Sequence, residues 1–434
     1  MIARVELWGR TVGAVAMGDG LEYATFQYEP EFARSGIELA PLVMPLSDRV
    51  YTFPELVPNS FHGLPGLLAD SLPDKFGNAL INAWLAMQGR TPENFNAVER
   101  LCYMGARGMG ALEFGPVLGP RPRKATKIEV DSLVRLASEV LTQRGELKGD
   151  FSGPGRAKAL NDILRVGTSA GGARAKAVIA WNPATNEVRS GQVRADPGFE
   201  YWLLKFDGVS GNKDKELDDP KGYGAIEYAY HLMARSAGIA MSECRLLEEN
   251  GRRHFMTRRF DRFASGEKLH MQSLGAMAHF DFNQAGAHSY EQAFLAMRRL
   301  GLPMESVEEQ FRRMIFNVVA RNQDDHVKNI AFLMEKTGRW SLAPAFDVTY
   351  SYNPSGTWTA SHQMTINGRR DEFTLADFRE CAKNALMKRG RAEAIIEEVR
   401  AAVLRWREFA GQAKVEEFLL EGIRKNLRLS FTED

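Results

Sequence analysis

Asp324, Asn329 and Asp347 lie within a short stretch of the last third of the chain, and their types and spacing suit phosphoryl transfer. The run Ile330–Met334 reads as a strand, Glu335–Arg339 as a turn and Trp340–Phe346 as a returning strand. Gly338 lies nine residues after Asn329 and nine before Asp347, so a hairpin centred there sets the two opposite each other at its open end. An amide oxygen and a carboxylate so placed suit Mg²⁺, a hard cation that takes oxygen ligands and keeps several waters. Asp324 stands just upstream, at the end of a strongly periodic helix, where a carboxylate can receive or orient the proton of an attacking hydroxyl. The order Asp324-x₄-Asn329, hairpin, Asp347 has the logic of a protein-kinase catalytic segment. Any one of these residues alone reads more readily as a turn cap or a strand-end carboxylate; the three at this spacing favour chemistry.

Such chemistry needs groups that grip phosphate, and these are sought upstream. Gly167-Thr-Ser-Ala-Gly-Gly-Ala-Arg-Ala-Lys176 precedes a strand at Ala177–Trp181. Glycines let backbone N–H groups converge on phosphate oxygens, and Lys176 adds charge. Lys205 sits in the otherwise apolar strand Tyr201–Phe206. An ammonium is costly to bury unpaired, so Lys205 calls for an anionic partner, either phosphates or Glu227 on the following helix. Glycine loop, strand lysine, helix glutamate, Asp-x₄-Asn and Asp together follow the kinase order.

The elements that must position these residues are legible in outline. Alternation before Tyr28, broken by Gly9-Arg10 and Gly18-Asp-Gly20, predicts β-structure. Leu64–Gln88 carries helical spacing, and an apolar strand-like run ends at Val117. Gly119–Lys124 reads as a linker, with a helix over Val130–Arg144 after it. Strands return between about 160 and 260, a helix spans Ala225 to Gly238, and helical periodicity dominates from about 270 onward. We expect an α+β, two-lobed, protein-kinase-like fold: residues 1–120 form an N-terminal, β-rich subdomain, 121–262 the nucleotide-binding part of the N-lobe, and 263–434 a helical C-terminal lobe.

Composition bounds the rest. The 434 residues are 44% hydrophobic and 26% charged, which excludes general disorder. A formal charge of +1 gives little overall attraction to nucleic acid or acidic lipid. The three cysteines, Cys102, Cys244 and Cys381, form no CxxC pair, which argues against a disulfide scaffold or a cysteine-built zinc site. Without a long apolar run or a leader-like start, a cytoplasmic protein that does not engage the membrane is expected.

The sequence resembles the HipA family of bacterial toxin kinases over nearly its whole length. Asp324-x-His326-x-Lys328-Asn329, with Asp347 beyond it, matches that family's catalytic and metal-binding segment. Ser169-Ala-Gly171-Gly172-Ala173-Arg174-Ala175-Lys176 resembles its phosphate-binding loop, Arg258-Arg259-Phe260-Asp-Arg262 its E-R-F-D-R hinge, and Leu68–Asp74 its N-terminal L-L-P-D segment. The resemblance implies an ATP- and Mg²⁺-dependent serine/threonine protein kinase, the toxin of a toxin–antitoxin pair. It also implies an aminoacyl-tRNA synthetase as substrate, a HipB-like helix-turn-helix antitoxin as partner, and contact with DNA only through that antitoxin. Carried over residue by residue, Asp324 is catalytic, and Asn329 and Asp347 hold Mg²⁺. Gly171 to Lys176 and Lys205 bind phosphates, Arg258 to Phe260 pass the adenine, and His326, Val327, Lys328, Asn329, Phe346 and Asp347 line the nucleotide. Ser169 is then the autophosphorylation site.

The chain departs from the family pattern in three places. Arg174-Ala175 replaces Gln-Glu, Arg258 replaces the hinge Glu, and Asp325 stands where Gly is usual and could compete for metal. Other readings are a small-molecule phosphotransferase with the same lobes, a non-catalytic co-repressor acting through an antitoxin, and a metal hydrolase. The co-repressor would need no intact metal set, and the hydrolase lacks the further clustered histidines it would require.

Overall fold

The computed structural model describes residues 1–18, 20–120, 125, 127–142, 174–209 and 221–433. Among the described residues there are three antiparallel sheets. The first has the order β4-β3-β2-β1-β5 and comprises β1 (Ile2–Leu7), β2 (Arg10–Ala16), β3 (Thr25–Tyr28), β4 (Val50–Thr52) and β5 (Leu112–Gly115). Alternation decides its inner face: Ala3, Val5 and Leu7 of β1 are buried beside Val12, Val15 and Phe26.

The second sheet has the order β7-β6-β8-β10-β9, built from β6 (Lys176–Asn182), β7 (Glu187–Ser190), β8 (Glu200–Lys205), β9 (Cys244–Glu249) and β10 (Arg252–Arg258). Ala177, Ile179 and Trp181 of β6 and Trp202 and Leu204 of β8 face one core, shared with Phe76 and Leu80 of the helix Lys75–Met87 and Leu133 of the helix Val130–Thr142. With a strand period of two, Lys176 and Lys205 therefore point to the opposite face.

The third sheet is the short β11 (His270–Ser273), β12 (Ala331–Met334) and β13 (Trp340–Leu342). Below it the helices Tyr290–Arg299, Met304–Val319, Leu375–Asn384, Arg391–Leu404 and Trp406–Gln412 enclose a core containing Phe294, Phe311, Ile315, Phe378, Ile395, Val399 and Trp406. The helix Tyr223–Ser236, stopped by Gly238 at φ +81°, belongs to this core through Tyr230 and Met233, and so joins the second sheet to the helical lobe. No helix among the described residues is long and apolar enough to cross a membrane.

Two expectations from the sequence are revised. Leu64–Gln88 is not one helix: Pro73 interrupts it, and Asp74 caps a new helix by accepting the Gly77 N–H at 2.6 Å. The hairpin is centred one residue early, because Met334 pairs with Trp340 and Phe332 with Leu342, which puts Thr337 in the middle. That register, continued, sets Asn329 opposite Ala345 rather than Asp347. Irregular backbone carries the two metal candidates instead: Asn329 closes the 3₁₀ turn Val327–Asn329, and Asp347 follows β13 at φ +52°.

Candidate active site

Lys176 and Lys205 are direct cross-strand partners in β6 and β8, both side chains buried. Like charges so opposed destabilise a sheet unless anions answer them. Three carboxylates do so. Lys205 Nζ donates to Glu227 Oε1 at 2.5 Å and also to Asp347 Oδ1, while Lys176 Nζ lies 3.5 Å from Asp74 Oδ2. Lys205 therefore ties the second sheet, the helix Tyr223–Ser236 and the residue after β13 to one point. Burial alone would lower the Lys205 ammonium, but Asp347 and then Glu227 hold it above the ordinary lysine range. Burial likewise pushes the Asp347 carboxyl up, and Lys205 followed by Lys176 outweighs that, leaving it at about 2.

Asp324 stands on the other side. Its Oδ1 accepts the Trp358 indole N–H at 2.8 Å, with His326 Nε2 at 3.8 Å. Asn329 Nδ2 donates to the Asp324 backbone carbonyl at 2.8 Å, so the side-chain oxygen of Asn329 is the group left to face a cation. Among the described residues no group of three or more His, Cys, Asp or Glu side chains gathers as a metal cage. One carboxylate and one amide oxygen fit a cation that completes its shell with water and phosphate oxygens, which is the habit of Mg²⁺.

Asp325 takes no part in such a site. Its side chain is 1% exposed and accepts from Tyr290 Oη at 2.8 Å and the Gln363 N–H at 2.8 Å, with His362 Nδ1 at 2.9 Å. Burial pushes its carboxyl up, and His362, with the Gln363 N–H and Tyr290, more than reverses this. Its oxygens are spent within the helical lobe, which removes it as a competitor for metal.

Beside Lys176, Arg174 Nη1 lies 3.7 Å from Glu227 and its guanidinium 4.9 Å from the Tyr223 ring centroid. Ala175 is buried, its carbonyl accepting the Phe206 N–H at 3.1 Å. Ser169, Gly171, Gly172 and Ala173 lie outside the described residues.

At the hinge, Arg258 and Arg259 give their backbone N–H groups to the carbonyls of Glu243 and Tyr201, at 2.8 and 2.9 Å. The exposed Arg258 side chain meets Glu200 and Glu243. The Arg259 guanidinium is 1% exposed and grips Asp261 with two bonds of 2.8 and 2.6 Å. It cannot face a ligand. Asp261 in turn accepts the Gly110 N–H at 2.7 Å, so this pair locks the hinge to the N-terminal region. Phe260 and Phe346, with ring centroids 5.8 Å apart, flank a small apolar patch of Ala331, Leu333 and Ala343 suited to a planar base. Val327 is buried in the helical core, and Lys328 Nζ sits 4.3 Å from the Phe282 ring centroid.

Two groups at the site escape sequence reasoning. Asp74 appears there only as part of a resembling segment, with no hint of its approach to Lys176. Trp358 lies in a stretch without periodicity, and nothing in its spacing marks it as a partner of Asp324.

Residues 3–115 match the model of the HipA N-terminal domain and residues 168–406 that of the HipA-like C-terminal domain. A curated relative from Sinorhizobium fredii, named "Putative kinase Y4mE", is 26% identical over 125 residues, covering 27% of this chain and 30% of that protein. The chain thus spans under a third of that relative's length. HipA from Shewanella oneidensis MR-1, solved with HipB and operator DNA, superposes with a TM-score of 0.67 over 98% of this chain and 94% of its own, at 14% identity. The two share the kinase-like, two-lobed fold. The chain belongs to the HipA family.

Proposed function

We propose that the protein is a Mg²⁺- and ATP-dependent serine/threonine protein kinase, acting as the toxin of a toxin–antitoxin pair. The observation that carries this reading is the opposed pair Lys176 and Lys205, with Lys205 bridging Glu227 and Asp347. Of the three protons on Lys205, two are given to carboxylates, which leaves one for a phosphate oxygen. Asn329 and Asp347 would hold Mg²⁺, which when bound offsets phosphate charge and orients the transferring group. Asp324 accepts the proton of the acceptor hydroxyl as the hydroxyl oxygen bonds to the γ-phosphorus and the bridging P–O bond to ADP breaks. The face between Phe260 and Phe346 takes the adenine, read by backbone groups of the hinge.

The finer assignments belong to the same proposal. Residues 1–120 form an N-terminal subdomain, 121–262 the nucleotide-binding part of the N-lobe and 263–434 the helical C-terminal kinase lobe. Ser169 is the autophosphorylation site, and the partner is a HipB-like helix-turn-helix antitoxin that supplies contact with DNA. A component of translation such as an aminoacyl-tRNA synthetase is the substrate, and the cytoplasm is where the protein works. The test is transfer of ³²P from γ-labelled ATP in a cell lysate, by wild type and by Asp324→Ala. Label in protein, lost in Asp324→Ala and accompanied by Ser169 phosphopeptide, is expected. Label confined to small molecules, or full cellular toxicity of Asp324→Ala, would overturn the reading.

A further inference from the structure

Asp324 and Asp325 are neighbours in the chain with opposite surroundings, the first side chain 34% exposed and the second 1%. The buried one anchors a distant segment. The Gln363 N–H donates to Asp325 Oδ1, and Gln363 Nε2 reaches the carbonyls of Gln323, Ser361 and Trp358. His362 Nδ1 lies 2.9 Å from Asp325 Oδ2, which also accepts from Tyr290, and Tyr290 is itself held by Asn317 and Asn317 by Asn322. The stretch 358–363 is thus pinned on either side of Asp324, to the Gln323 carbonyl and to the Asp325 side chain. From that stretch the Trp358 indole N–H returns to Asp324 Oδ1 at 2.8 Å, across 34 residues. No described residue donates a hydrogen bond to Asp324 Oδ2.

We propose that Trp358 is a positioning residue for phosphoryl transfer. Its indole N–H fixes one oxygen of Asp324 and so aims the other at the acceptor hydroxyl, with Asp325 and Gln363 holding the indole in place. This rests on the reading of Asp324 as the group that receives the acceptor proton. An indole suits the task because it donates one hydrogen bond, accepts none and moves about only two torsions, so it orients a carboxylate without competing for the proton. A carboxylate free to turn would spend much of its time facing away from the hydroxyl, and misplacement by about an ångström costs on the order of 100-fold in rate.

The test uses the full chain as wild type, Trp358→Phe, Trp358→His and Asp324→Asn. One arm needs no activity. In the ¹⁵N-indole spectrum the Trp358 signal, identified by its loss in either Trp358 variant, is expected to shift in Asp324→Asn, where the charged acceptor is gone. An unmoved signal would overturn the proposal. The second arm measures ADP formation with saturating MgATP and dephosphorylated casein as the acceptor. Trp358→Phe is expected to lower kcat by about 10- to 100-fold, with the KM for ATP within about twofold of wild type and an unchanged melting midpoint. Trp358→His, which keeps a ring N–H, should recover part of the loss. A kcat within about twofold of wild type in Trp358→Phe, while Asp324→Asn is inactive, would overturn this proposal and leave the reading of Asp324 standing. A wild-type kcat in Asp324→Asn would overturn that reading and, with it, the role of Trp358.

Discussion

Lys205 and Asp347, 142 residues apart, share a hydrogen bond that joins the end of β8 to the backbone turn after β13. It is the point where the second sheet, the helix Tyr223–Ser236 and the helical lobe's metal candidate meet, because the same ammonium also holds Glu227. A single charge therefore serves both fold and site. That makes its removal separable into two effects.

Lys205→Met should take the bonded cation from Asp347 and leave the buried Glu227 with only Arg174, 3.7 Å away, at up to about 3–5 kcal/mol of stability by chemical denaturation. ADP formation should fall by about 100-fold or more, the scale of losing one oriented donor at a developing charge. Lys205→Met combined with Glu227→Gln removes a stranded carboxylate, so stability should return in part while activity stays low. Equal recovery of both would show that the lysine acts only through folding.

Asn329 offers an oxygen to a cation only while its amide N–H is held by the Asp324 carbonyl. Asn329→Ala removes both, and the Mg²⁺ concentration needed for half-maximal ADP formation should rise by about tenfold or more. Asn329→Asp keeps an oxygen but loses the donor, and should fall between the two. An unchanged Mg²⁺ requirement in Asn329→Ala would exclude Asn329 as a ligand.

The Asp261–Arg259 pair makes a pH-dependent contribution with a definite sign. Burial pushes the Asp261 carboxyl up, and Arg259, with help from Arg262 and the Gly110 N–H, brings it below the ordinary carboxylate value. A carboxyl more acidic in the folded state stabilises fully at pH above its unfolded value of about 4, and that contribution declines as pH falls below this toward its lower folded-state value. Asp261→Asn should therefore lower the melting midpoint strongly at pH 7, by the equivalent of about 3–5 kcal/mol, and the gap from wild type should narrow below about pH 4. Melting curves of both proteins from pH 3 to pH 8 check this. A gap that widens in acid would contradict the pairing.

What the sequence discloses about this molecule follows a physical division. Lys205 is conspicuous because an ammonium inside Tyr201–Phe206 demands an anion, and β1 is conspicuous because alternation fixes a strand's buried face. Register is less visible: the turn between β12 and β13 is centred on Thr337, one residue before Gly338, and a slip of one position was enough to misplace Asn329 against Asp347. Least visible are side chains whose partners come from distant segments. Arg259 reads as a hinge residue and proves to be a buried clamp on Asp261. Asp325 reads as a spare metal ligand and is spent on His362, Tyr290 and Gln363. Hydrogen-bond geometry of that kind is decided by tertiary packing, on which local spacing is silent.

Gly66 tests whether the N-terminal region supports the site mechanically. A Cβ there would stand 2.3 Å from the Ala276 carbonyl oxygen and 2.7 Å from His279 Cδ2, and the Gly66 N–H donates to His279 Nε2 at 3.0 Å. The helix Leu274–Ala278 that it touches also contacts the Val327–Asn329 turn, and Gly275 approaches both Val327 and Lys328. The same helix is held from the N-terminal side by Asp70, which accepts from the Ser273 N–H at 2.6 Å and from its hydroxyl at 2.8 Å. Gly66→Ala must push backbone aside, because neither close neighbour is the free end of a flexible chain, and a cost of about 1–3 kcal/mol follows. The displacement should pass through Leu274–Ala278 to Asn329. The Mg²⁺ requirement for ADP formation should then rise in Gly66→Ala at temperatures well below its melting midpoint. Asp70→Asn, which weakens the same contact without overpacking it, should move that requirement in the same direction by a smaller amount. Lowered stability with an unchanged Mg²⁺ requirement in both variants would show that the N-terminal region braces the fold and leaves the site alone.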